Sequence, residues 1–166
     1  MSNTGSGIRL GFLAAVDVSG MGFVGGLLVT TQNGRPLEFQ CTTPVKPNAT
    51  QKILYGPTLK SYLLGELIGQ TLIQRAKVKS QLVLIDDEDM LQLRPHVQIP
   101  VGLCEEDRTD SEAIALGRQF LTFHPDAKGD DASVTSFAKQ VSSDMDLMEP
   151  FERVREALTE TIRSAA

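Results

Sequence analysis

The chain has 166 residues, 41% of them apolar and 22% charged, enough for one buried core and too apolar for global disorder. Its formal charge is −5, and no apolar run approaches 18 residues, so neither a chain basic throughout nor a bilayer span fits. These values predict a cytoplasmic, single α/β domain over residues 8–163, behind a flexible amino-terminal segment at 1–7.

The run LGFLAAV is too short for a secretory signal and ends at Asp17. Cys41 and Cys104 form no CxxC pair, so both read as free thiols, with Cys41 buried beside Leu37 and Phe39. A zinc site would need His96 and His124 to converge on both cysteines from four distant places, and is set aside.

Large apolar groups at Ile8, Leu10 and Phe12, followed by Ala14 and Val16, recur with period two and predict a first strand ending near Val18. Gly22–Thr31 is apolar and β-branched and meets Asn33-Gly34, a turn pair that wants positive φ. PLEFQCTT alternates again, which completes a three-stranded antiparallel meander. Pro44, Pro47 and Pro57 mark a linker in which Ala49–Tyr55 has room for one or two helical turns. From Thr58 to about Lys77 the period changes to three and four, through Leu59, Tyr62, Leu63 and Leu67, giving a central amphipathic helix. Gly65 and Gly69 lie on one face of it and predict close approach to the sheet.

Ser80–Ile85 is a short apolar run that stops at Asp86-Asp87-Glu88-Asp89, a fourth strand with carboxylates at its carboxyl end. Val97–Leu103 reads as a fifth strand, and because Pro100 cannot donate to a ladder it belongs at an edge, a bulge or a strand terminus, an edge strand being the reading taken. The second half reads as helical: a helix capped by Asp110 or Ser111 and running to Leu121, a short helix over Ser133–Val141, and a final helix with the stripe Leu147, Phe151, Val154, Leu158 and Ile162.

The order β-β-β-α-β, with Asp17 ending the first strand and Asp86 or Asp87 ending the fourth, resembles the opening of the ribonuclease-H-like fold over about residues 8–103. The resemblance implies a meander, a central helix, a fourth strand parallel to the first, and carboxyl-terminal helices. It also implies one carboxylate on the first strand and one at the end of the fourth. A right-handed crossover lays those strands side by side and brings their carboxyl ends together. Asp17, Asp86 and Asp110 are then candidate catalytic groups, and Asp17, Asp86, Asp87 and Asp89 candidate ligands for Mg²⁺ or Mn²⁺, whose hard character suits carboxylate oxygens. The other reading of Asp17 is an Asx cap on the turn Ser19–Gly22, and the acidic run after the fourth strand can equally be a solvated turn.

Two functions from different classes follow. The acidic set lacks a third member at a defensible spacing, and the charge balance disfavours a strong grip on nucleic acid. The sequence therefore leans to a non-catalytic adaptor in an intracellular protein assembly, docking another protein through the final helix or the linker around Tyr55 and Tyr62. The alternative is a divalent-metal-dependent phosphodiester hydrolase of ribonuclease-H-like type, with nucleic acid as partner. Neither reading involves a membrane.

Overall fold

A computed structural model describes residues 7–165, so residues 1–6 of the expected flexible segment lie outside the described residues. Three strands open the chain: β1 (Arg9–Val18), β2 (Gly22–Thr31) and β3 (Pro36–Cys41). They pair antiparallel, β1 on β2 and β2 on β3, and Gly34 takes φ +88° in the turn that Asn33-Gly34 announced. The linker carries α1 (Ala49–Tyr55). A continuous helical stretch follows, made of α2 (Leu59–Ser61), a π-helical segment (Tyr62–Gly69) and α3 (Gln70–Arg75). It returns the chain to β4 (Leu82–Ile85), which runs parallel to β1 with Leu13 opposite Ile85. The antiparallel meander, central helix and parallel fourth strand are those the sequence predicts.

Beyond β4 the structure departs from expectation. A 3₁₀ segment (Glu88–His96) leads to β5 (Val101–Glu105), which lies inside the sheet between β4 and β7 rather than at an edge. Pro100 is tolerated because it precedes the strand and only its carbonyl is used, accepting from Val83 N at 3.0 Å. The helix expected over 110–121 is a hairpin, β6 (Ile114–Leu116) and β7 (Gln119–Phe123). Gly117 opens its two-residue turn at φ +56°, where a side chain would meet the Met145 carbonyl. The sheet thus has seven strands in the order β3-β2-β1-β4-β5-β7-β6. Two helices follow, α4 (Asp130–Thr135) and α5 (Glu149–Ala165).

Both faces of the sheet are covered, and strand parity decides which side chain goes where. Leu10, Phe12 and Ala14 of β1 and Leu82 and Leu84 of β4 pack with Phe151, Val154 and Leu158 of α5. Leu13 of β1 and Val83 and Ile85 of β4 pack with Leu64, Ile68 and Leu72 of the central helix and Met90 and Leu93 of the 3₁₀ segment. β2 serves both layers, with Val24 and Leu28 in one and Leu27 and Val29 in the other, and Gly25 and Gly26 let a helix approach closely on either face. A Cβ at Gly25 would run into Ile68, and one at Gly26 would stand 2.9 Å from Val154. Gly65 and Gly69 admit the 3₁₀ segment, not the sheet: their nearest neighbours are Gln92 and Leu93.

The described helices include none long and apolar enough to cross a membrane. Of the two thiols, the fully buried one is Cys104, whereas Cys41 is only half-buried beside Phe39. The expectation of a buried Cys41 is corrected accordingly, since its strand is the last on its side of the sheet and is covered incompletely.

Candidate functional site

β1 and β4 do lie side by side and point the same way, which is the geometry that would bring their terminal carboxylates together. Two features of the ladder keep them apart. With Leu13 opposite Ile85, Asp86 falls level with Ala14, and Asp17 lies three residues further on, about 10 Å along the strand direction. Asp17 also shares parity with Leu13 and Ala15, the face of the central helix, whereas Asp86 turns to the face of α5.

Asp86 is accordingly sealed. Its Oδ2 lies 2.6 Å from an Arg155 guanidinium nitrogen, its side chain is 12% exposed, and its Oδ1 is buried without a hydrogen-bond partner. Its charge is felt by Cys104, whose thiol is pushed up to about 12, first by burial and then by Asp86. Asp87 and Asp89 belong to the other face and share one cation. Lys60 Nζ stands 3.2 Å from Asp87 Oδ2 and 3.4 Å from Asp89 Oδ2, and these partners raise the lysine's pKa, the Asp87 hydrogen bond most, against burial. Their other oxygens are used as well: Asp87 Oδ1 accepts from Asp89 N at 3.0 Å, capping the 3₁₀ segment, and Asp89 Oδ1 accepts from Ser61 at 2.9 Å. Asp110 stands in the loop before β6, where its carboxylate accepts from Glu112 N at 2.9 Å, and no helix carries it toward Asp17. It shares a cleft of about 730 Å³ with Asp89, Glu105 and His124.

The fold type implies a divalent ion, and these residues do not fit one as they are arranged. Among the described residues no three His, Cys, Asp or Glu side chains converge in a way that could hold a metal. Asp86 has a guanidinium for its counter-charge, and the Lys60 ammonium stands between Asp87 and Asp89, where a cation would otherwise be needed.

What the structure does build is a cationic cleft around Asp17. Asp17 is exposed and has no ion-pair partner among the described residues. It lines a cleft of about 580 Å³ together with Lys46, Lys52, Lys60, Phe23 and Leu63. The local sequence explains each placement. Gly22 takes φ +96° and leaves room for the Val45 carbonyl against its backbone. The linker is therefore pinned to β2 by Phe23 N to Val45 O at 2.9 Å and Val45 N to Phe23 O at 2.8 Å. That bridge sets Lys46 at the cleft, its Nζ donating to Gly20 O at 3.2 Å. Asn48 and Gln51 form a capping box that starts α1 and places Lys52 one turn later. Periodicity and turn signals do not reveal that these lysines converge. The readable signal is that no Asp or Glu occurs between Glu38 and Glu66, an interval containing all three.

Solved structures place this architecture among known ones. Human endonuclease V is similar over 97% of this chain and 87% of its own, with a TM-score of 0.58 at 12% identity. A Ciona intestinalis endonuclease V variant, in complex with a 23mer DNA containing an inosine followed by a ribo-adenosine, matches 64% of this chain and 49% of its own, with a TM-score of 0.41 at 9% identity. The first likeness establishes the ribonuclease-H-like fold. No family model and no curated protein sequence matches the chain.

The leaning toward a non-catalytic adaptor is corrected by these findings. A structure matched across nearly the whole chain is that of a nuclease. The apolar stripe of the final helix, which supported docking of another protein, is covered by the protein's own sheet: Phe151, Val154 and Leu158 are fully buried, and Phe151 meets Phe12 edge to face at 5.4 Å.

Proposed function

We propose that the chain is a phosphodiester hydrolase acting on nucleic acid in the cytoplasm, with the backbone of its substrate lying in the lysine-lined cleft beside Asp17. The observation that carries this reading is the convergence on a single cleft at the carboxyl end of β1 of Lys46 and Lys52, neither of them ion-paired among the described residues, in a protein whose formal charge is −5. Local positive charge set against an acidic remainder is the footprint of a site for phosphate. The nuclease fold supplies the second support. Cys41 and Cys104 are both free thiols, as a reducing compartment requires.

In this reading Lys46 and Lys52 neutralise the phosphate and stabilise charge building on its non-bridging oxygens. Asp17 is the carboxylate that faces the bound backbone and accepts the proton of the attacking water. The water oxygen bonds to phosphorus as the bond from phosphorus to the leaving sugar oxygen breaks.

The test uses end-labelled DNA and RNA oligonucleotides, single-stranded and duplex, with and without inosine, incubated with Mg²⁺, Mn²⁺ or chelator. The wild type cleaves at least one of them. Asp17→Asn lowers the cleavage rate by about 100-fold while leaving binding in place, as expected for loss of a general base. Lys46→Ala with Lys52→Ala flattens the log–log salt dependence of single-strand binding by about 1.4, roughly 0.7 per lost phosphate contact. Failure to cleave any of these substrates, or cleavage indifferent to Asp17→Asn, overturns the proposal.

A further inference from the structure

α1 is a helix of seven residues with no buried side chain, and Ile53 and Leu54 on it are 78% and 77% exposed. A short helix is marginal on its own, yet this one is held in place by its capping box at Asn48 and by Gly56, which takes φ +51° just past its end. Lys52 and Gly56, on either side of the Ile53–Tyr55 tip, both line the cationic cleft, so the apolar tip stands on the cleft's rim. Next to it Tyr55 stacks on Tyr62 at the start of the π-helical segment, with ring centroids 4.3 Å apart and planes 17° from parallel. Both rings are partly exposed.

Resting on the nucleic-acid reading above, we propose that Ile53, Leu54 and the Tyr55–Tyr62 stack form a docking surface for unpaired nucleobases, and that the substrate is single-stranded at this point. The charge beside the tip selects this occupant. Lys60 is taken up by Asp87 and Asp89, but Lys46 and Lys52 line the cleft with no ion-pair partner among the described residues, so two free ammonium groups face what lies against the tip, and a polyanion complements them. A strand whose phosphates rest on those lysines turns its bases toward whatever borders the cleft, and here that border is apolar and aromatic. Aromatic and aliphatic faces accept any base, but only one that is not already stacked inside a duplex.

The protein carries its own reporter. It has two tyrosines and no tryptophan, so its intrinsic emission comes from Tyr55 and Tyr62 alone. Titration with a single-stranded oligonucleotide changes that emission, and a duplex of equal length binds more weakly. Ile53→Ser with Leu54→Ser weakens single-strand binding by about tenfold, with the melting temperature and the salt slope unchanged. If Lys46→Ala with Lys52→Ala abolishes binding while the Ile53 and Leu54 changes and the tyrosine emission do nothing, the docking surface is disproved and the cleft reading survives. If no oligonucleotide binds the wild type, both fail. A concentration-dependent dimer that the Ile53 and Leu54 changes dissolve, with oligonucleotide binding untouched, assigns the tip to a second copy of the chain and overturns the proposal.

Discussion

The carboxyl ends of β1 and β4 differ sharply although the strands are neighbours in one parallel ladder. At β4, Asp86 turns under α5, is nearly buried and is matched by a single guanidinium. At β1, Asp17 is exposed and lines a cleft with Lys46 and Lys52, neither of which is ion-paired among the described residues. The contrast comes from strand geometry alone: an offset of three residues in the register reverses the face, and each face has its own covering helix. A carboxylate at a strand end is structural or available for chemistry according to its parity, before any property of its own matters.

The largest effect is expected where that contrast is broken on the sealed side. Arg155→Met leaves Asp86 with one oxygen already unpartnered and the other without its cation. The cost is about 2 kcal/mol, below that of a fully buried pair because Arg155 is about a third exposed. Denaturant unfolding of Arg155→Met, Asp86→Asn and the double variant checks this. The double variant recovers most of the loss, and equal costs for the single and double changes would show that Asp86 is not held by Arg155. Oligonucleotide binding is unaffected in all three variants.

On the open side the Lys60 ammonium sets a smaller effect. It is shared by Asp87 and Asp89, which raise its pKa above the ordinary lysine value. The stabilising contribution of that raised pKa is therefore complete below the ordinary lysine value and is lost only as pH rises past it. Wild-type protein shows no rise in melting temperature with millimolar Mn²⁺. Lys60→Met leaves two neighbouring carboxylates without a cation, and Mn²⁺ then stabilises the variant by about 1 kcal/mol at a few times its dissociation constant. A Mn²⁺ shift in the wild type, removed by Asp17→Asn, would show that the carboxylates converge on a metal after all.

Much of the first half of the fold was legible in residue periodicity. Alternation in β1 and β3, the turn at Asn33-Gly34 and the change of period after Thr58 each mark an element that is present. The hairpin β6–β7 was hidden because its defining residue is polar. Gln119 is buried in a strand, and its amide is satisfied at a distance: Oε1 accepts from Leu147 N at 2.7 Å and Nε2 donates to Asp146 at 2.9 Å. No local pattern announces such partners. The site was half legible for a related reason. Leu82, Val83, Leu84 and Ile85 are apolar on both faces of a central strand, so nothing in the run tells which way the next residue turns. Asp86 could be placed at the end of β4 from sequence, but not on the face of α5.

The smallest effect separates the two thiols and reads the same contrast through their reactivity. Cys104 packs fully buried near Asp86, and burial with that negative charge moves its thiol from the ordinary value of 9.0 to about 12. Its folded pKa is above the unfolded one, so the stability linked to it is complete below pH 9 and is lost as pH rises toward 12. Cys41 has no such enclosure. Native protein exposed to an aromatic disulfide reagent at mildly alkaline pH therefore releases one thiolate promptly, and the second only on unfolding. In Cys41→Ser the prompt phase disappears. Asp86→Asn removes one of the charges that raise Cys104 and lowers the pH at which ultraviolet thiolate absorbance appears in the folded state. An unchanged titration in that variant would mean that the charge of Asp86 does not reach Cys104.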